Sequence, residues 1–208
     1  MSWLAPLGYG ILTGFLMSVL LGVIFFMLIQ TGVKHGYKKG ITIASGVIAG
    51  DIVFVILAIG FTGYISRFLA QHSDKVSITG GIVLLIMGVF TYLQERKLNQ
   101  TDKPLKGMKH TRDFFIKPFF INLLNPANAA WWLGLYSIPP ALNYTTPHKI
   151  VFAIGAVGTV FFTEIGIAVA ADKLKKFIKP VILKRVDSVV AAALILVGLH
   201  LLAKGILG

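Results

Sequence analysis

The chain contains no cysteine, which excludes disulfides, iron–sulfur clusters and thiolate zinc sites. Histidine does not make up the deficit. The five histidines, at 35, 72, 110, 148 and 200, are scattered over connections and ends, a poor arrangement for a metal site. No metal and no other cofactor is expected. Charge is also scarce: Asp, Glu, Lys and Arg form 13% of the 208 residues, where a soluble domain carries about a quarter. Acid is scarcest, with 8 Asp and Glu against 20 Lys and Arg. Recognisable catalytic signatures are missing too. There is no metalloprotease helix motif, no serine nucleophile elbow and no clustered acidic pair, which argues against a membrane-embedded enzyme.

What the chain has instead is apolar surface. Hydrophobic residues make up 56% of it and its mean hydropathy is +0.80. Such a chain cannot cover itself with polar groups in water, so lipid must be its solvent along much of its length. At about 20 residues per crossing the length suffices for five to seven spans. Long apolar windows predict six, over residues 7–31, 41–65, 76–93, 114–138, 150–171 and 188–203. The expected fold class is therefore all-α, a polytopic membrane protein with six transmembrane helices. Lys117, Pro118 and Pro126 interrupt the fourth window. No basic residue precedes the first apolar run and no small-residue cleavage pattern follows it, so it reads as a retained span rather than a signal peptide.

The net charge of +12 would suggest nucleic acid in a soluble protein. Here the cations lie between apolar runs, and nucleic acid is not an expected partner. They cluster after span one (Lys34, Lys38, Lys39), between spans three and four, and between spans five and six. Only Arg67, Lys75, Lys149 and Lys204 fall on the other side. The positive-inside rule then predicts cytoplasmic placement of the basic connections, with both termini outside. The run from Lys173 to Lys184 reads as a turn facing anionic lipid headgroups.

The whole chain, 1–208, reads as one transport domain. The polar stretch 94–113, expected to be a cytoplasmic loop, separates half-repeats of about 1–93 and 114–208 with three spans each. Because three is odd, a repeated half must insert upside down relative to the other, which predicts an inverted 3+3 repeat around a midplane site.

Two acids, Asp51 and Glu164, stand within these apolar windows. A carboxylate at bilayer depth costs several kcal/mol unless it faces a cavity, a partner or the bundle interior. At about 1.5 Å of rise per residue, Asp51 lies about 18 Å in from Lys39 and Glu164 about 13 Å in from Lys173. Asn125 and Gly22 fall at similar depths on two further spans, which places four positions in one layer. Asp51 is the candidate proton or cation site, with an interspan hydrogen bond as the plainer alternative, and Glu164 either joins it or reaches Lys173 or Lys175. In span four, FFIKPFFINLLNPANAAWW, Pro126 must bend or break the helix. Asn122, Asn125 and Asn128 recur every three residues there, suited to binding a zwitterion's charged groups or to capping the broken helix. Gly36, Gly40, Gly46 and Gly50 are expected to serve close helix packing, with G-x-x-x-G spacing inside span two. Trp131, Trp132 and Tyr136, with Trp3 and Tyr9, read as an interfacial aromatic belt, with an aromatic lid over a solute as the alternative. Exposed small-residue faces permit a homodimer.

The block HGYKKGITIASGVIAGD, followed about 70 residues later by FFINLLNP, resembles the LysE/RhtB-type amino-acid exporters from about Gly14 to the last span. The resemblance implies a small six-span protein of the bacterial inner (cytoplasmic) membrane that exports amino acids or related small metabolites against protons. Carried over by position, its residues are Gly36, Gly40, Gly46, Gly50, Asp51, Asn122, Asn125 and Pro126. Two departures stand out. The family's proline–glycine–proline element in span one is reduced here to Gly22 between Leu21 and Val23, so that span is expected to be straighter. The lysine that often follows asparagine–proline is Ala127, which bears on the solute accepted. Asp51 is then expected to couple to protons, with Glu164 as a second ionisable site and Asn122, Asn125 and the break at Pro126 contacting the solute. The alternatives are a divalent-cation exporter, which needs acids and oxygens to converge, and a non-transporting membrane scaffold.

Overall fold

A computed structural model describes residues 3–20, 22–96, 108, 110–135, 144–175 and 180–207. Leu21, Tyr136 and the loop lysines Lys97, Lys103, Lys106, Lys109, Lys176 and Lys179 lie outside the described residues. Every element among the described residues is helical: α1 (Leu4–Leu20), α2 (Gly22–His35), α3 (Tyr37–Gly60), α4 (Thr62–Gln71), α5 (Ser73–Arg96), α6 (Asp113–Leu123), α7 (Pro126–Leu135), α8 (Thr146–Lys173) and α9 (Pro180–Leu207). Among them α3 and α8 are unbroken helices long and apolar enough to cross a membrane, and the bent pair α1–α2 qualifies as a third crossing. Large apolar side chains face outward from these helices, among them Phe15, Ile52, Ile56, Ile154 and Phe162. In water such surface would drive aggregation; in hydrocarbon it is at home.

The first apolar window is not straight. Leu4–Ser18 and Val23–His35 are inclined by 72° to each other, which corrects the expectation that losing two prolines straightens this span. The bend shows in its packing on α8. Gly14 meets the backbone of Ala156, and Gly32 that of Ala168. The twelve residues between those two contacts on α8 rise about 18 Å, whereas a straight helix from Gly14 to Gly32 would rise about 27 Å. The bend takes up the surplus.

Two compact units make up the chain: Met1–Thr62 with Asp102–Phe177, and Gly63–Thr101 with Ile178–Gly208. Each draws helices from both halves of the sequence. In the first unit α1 runs parallel to α8 and α2 meets α8 near Ala168, while α3 runs parallel to α6 and antiparallel to α8. Glycine sets the closeness of these contacts. A Cβ at Gly46 would strike the carbonyl of Phe115, and one at Gly10 the carbonyl of Phe152. In the second unit α5 and α9 pack antiparallel, with Gly81 against Gly198 and Gly88 against Ala191 and Ile195.

The interior of the first unit holds two apolar clusters. One joins the second half of α3 (Phe54, Val55, Ala58) to the first half of α8 (Phe152, Ala156, Val160), with Met17, Trp132 and Leu135. The other joins the first half of α3 (Ile43, Ala44, Val47) to Ala168 of α8, with Ile24, Met27, Leu28 and Phe114. Asp51 lies between the two sets on α3, and Glu164 lies between them on α8. Both acids occupy the seam.

The two ends of this unit differ chemically. At one end the backbone N–H of Tyr37 donates to Asp172 Oδ2 at 3.3 Å, Lys39 Nζ bonds Thr111 Oγ1, and Lys39 lies over the Phe114 ring. Lys34, Lys38, Arg112, Lys173 and Lys175 belong to the same end by their place on these elements. Gly36 makes the turn between α2 and α3 with φ 78° and ψ 165°, a conformation open essentially to glycine alone. At the other end Trp3 stacks on His148 at 4.4 Å, and Tyr144 packs near Phe152.

Candidate functional site

Asp51 is 1% exposed and its carboxylate is held from one side. Its Oδ1 accepts from Asn122 Nδ2 at 2.7 Å, Asn128 Nδ2 at 2.9 Å and Trp132 Nε1 at 2.9 Å. All three donors come from the two segments flanking the break in the fourth window. Asn122 sits on the last turn of α6 and also donates to the Val47 carbonyl at 2.9 Å. Asn128 and Trp132 lie four residues apart on α7 and so share one face. All three side chains are fully buried. Gly50, one residue before the aspartate, is what lets α6 come this close: a Cβ there would stand 3.2 Å from Asn122 Nδ2.

The break itself is made by Asn125 and Pro126. Leu124 ends α6, and Pro126 opens α7, where its missing N–H costs nothing and its fixed φ suits a first helical position. Asn125 Oδ1 accepts from the backbone N–H of Ala127 at 3.0 Å, so it caps α7. The asparagine triplet therefore does not act as one row. Across an unbroken helix 122, 125 and 128 would drift around the surface together. The non-helical step lets 122 and 128 converge on Asp51 and turns 125 to its own backbone.

Trp132, expected in an interfacial belt, is instead fully buried against the carboxylate. An indole N–H needs a partner once buried, and Asp51 supplies it. Its i, i+4 spacing from Asn128 was the signal available for this. Trp131 is half-buried beside it, its Nε1 without a partner among the described residues.

Glu164 is 4% exposed and lies within electrostatic range of Asp51. It does not reach the terminal lysines; Asp172 pairs with Lys175 at 3.5 Å. Several buried oxygens of the acids and the two asparagines have no hydrogen-bond partner among the described residues: Asp51 Oδ2, Asn122 Oδ1, Asn128 Oδ1 and Glu164 Oε2; elsewhere the same holds for Gln30 Oε1 and Thr31 Oγ1 on α2. Gly22 opens α2 at the bend in the first window. Gly40 meets the Ala168 side chain, Gly46 the Phe115 backbone, and Gly36 serves the turn. Among the described residues no three His, Asp or Glu side chains gather as a metal cluster would require.

A buried, donor-held carboxylate in an apolar helical unit beside a broken helix is an arrangement suited to moving a polar solute or ion. The comparisons with known proteins agree with that chemistry. The chain is 21% identical over 201 residues, 94% of each chain, to a Bacillus subtilis (strain 168) protein whose name describes amino acid efflux, YcgF. It is 30% identical over 132 residues to the leucine efflux protein of Klebsiella pneumoniae subsp. pneumoniae, covering 62% of this chain and 60% of that one. No solved structure matches. The family described as LysE type translocator matches residues 15–205, nearly the whole chain and all of the Asp51 site, and this protein belongs to that family.

Proposed function

We propose that the protein is a six-span secondary transporter of the bacterial inner membrane, with both termini outside, which exports an amino acid or similar small metabolite in exchange for protons. One observation carries this reading. In a unit whose outer surface suits hydrocarbon, a fully buried aspartate is gripped through one oxygen by three donors while its other oxygen is unpartnered among the described residues. A purely structural carboxylate would be expected to use both oxygens, since an unsatisfied buried acceptor costs about 1–3 kcal/mol. Asp51 is the coupling residue in this reading, and Glu164 is a second ionisable group on the facing helix.

The packing supports an inverted 3+3 repeat. Spans one and five pack together, as do two and four, two and five, and three and six. Exchanging the first three spans for the last three turns these four pairs into one another, while the contact of spans one and two through α2 and α3 stands outside the pattern. The broken elements correspond as well: α1–α2 and α6–α7 are the first spans of their halves. Discontinuous helices in matching positions of two halves are the usual markers of a carrier's binding site. The concentration of lysine and arginine at one end of the first unit supports a cytoplasmic placement of that end.

The names of the two relatives make leucine and other neutral amino acids the first solutes to try. The test is efflux from proteoliposomes with an imposed pH gradient and a panel of amino acids. Gradient-dependent efflux is expected, and Asp51→Asn should abolish its dependence on the gradient. If Asp51→Asn transports at the wild-type rate with unchanged pH dependence, Asp51 is not the coupling residue.

A further inference from the structure

Counting donors and acceptors around Asp51 goes one step beyond solute export, and it rests on the proposal that this is the solute site. The donors that face Asp51 Oδ1 are committed. The amides of Asn122 and Asn128 and the indole of Trp132 all point at Asp51 Oδ1, and the Ala127 N–H at the start of α7 is taken by Asn125 Oδ1. The amide orientations are not interchangeable. Asn122 Nδ2 also serves the Val47 carbonyl and Asn128 Nδ2 also reaches the Asn122 carbonyl at 3.4 Å, so each amide must present its NH₂ there and its oxygen elsewhere. Acceptors are what is left: Asp51 Oδ2, Asn122 Oδ1 and Asn128 Oδ1, all buried and unpartnered among the described residues. Each is joined through a single carbon to an atom of the contact at Asp51 Oδ1.

We infer that this cluster binds the protonated primary amine of the solute and makes no contact with its carboxylate. A primary ammonium carries three N–H donors and no acceptor, matching three acceptors of which one belongs to a carboxylate. At these three oxygens a solute carboxylate would be repelled. The solute class at Asp51 is therefore primary alkylammonium compounds, amino acids among them by their amino end, and the α-carboxylate is dispensable for binding there. Glu164, on the facing helix, is the other titratable group acting on this locus among the described residues.

The experiment measures thermal stabilisation of the detergent-solubilised full chain by four probes sharing one carbon skeleton: leucine, 3-methylbutylammonium, its N-trimethyl derivative, and 4-methylpentanoate. Leucine and 3-methylbutylammonium should bind. The trimethyl derivative has the charge without the N–H groups and should bind about tenfold more weakly or worse, having no donor to offer the three acceptors. The acid should not bind. Asp51→Asn, checked for folding by circular dichroism, should lose the response to the amine. Equal binding of the trimethyl derivative, binding of the acid but not the amine, binding of none of the four, or stabilisation by calcium or magnesium in place of the amine would each overturn the inference. The wild-type comparison stands even if the variant does not fold. The outcomes also separate this inference from the transport proposal: amine binding without gradient-driven efflux removes the latter, whereas leucine efflux with no response to the amine removes the former.

Discussion

The indole of Trp132 donates to Asp51 Oδ1 at 2.9 Å across the packing of α3 on α7, tying the buried acid to the segment that follows the helix break. Because Asn122 approaches the same oxygen from the other side of the break, the carboxylate bridges α6 and α7. A change in its protonation or its ligand would be felt by both pieces at once.

Trp132→Phe keeps most of the ring volume and removes one donor. It should lower stability by about 1.5–3 kcal/mol, the worth of one hydrogen bond to a charged group. Combined with Asp51→Asn in a double-mutant cycle, the losses should be clearly less than additive. Additive losses in thermal unfolding would show that the pair does not act together.

Gly46→Ala and Gly158→Ala should have opposite signs. A Cβ at Gly46 runs into the Phe115 carbonyl, whereas nothing stands within 4 Å of one at Gly158. The first should destabilise by about 1–3 kcal/mol through overpacking. The second should be neutral or stabilise by about 0.5–1 kcal/mol, as alanine does in a helix interior. Unfolding midpoints in detergent measure both.

Gly36→Ala places a side chain at φ 78° and ψ 165°, and should cost about 1–3 kcal/mol of backbone strain. The turn also presents the Tyr37 N–H to Asp172, so Asp172→Asn is expected to weaken the same end of the unit by less. Equal stability of Gly36→Ala and the wild type would mean that the turn rearranges.

The absence of cysteine makes the chain ready for accessibility labelling. In whole cells a membrane-impermeant maleimide should modify Arg67→Cys and spare Lys38→Cys, with both labelled after permeabilisation. The reverse pattern would invert the proposed orientation.

Composition and patterning alone determined that this chain dissolves in lipid, where its apolar helices fall, which of its connections are basic, and that Asp51 and Glu164 need an explanation. These follow from one-dimensional facts, because transfer free energy and helical rise depend on residue type and spacing and not on the partner. The pairing of elements decided the rest. Asn122, Asn125 and Asn128 look equivalent in the sequence, and only the non-helical step at 124–125 sends two of them to Asp51 and the third to cap α7. Trp132 carries the same side chain as Trp131, and only the rotation of α7 against α3 buries the former on a carboxylate. The first apolar window bends with no proline at the break, and its two arms meet α8 at Ala156 and at Ala168. A side chain's partner is a property of two helices in contact, and no periodicity within one of them encodes it.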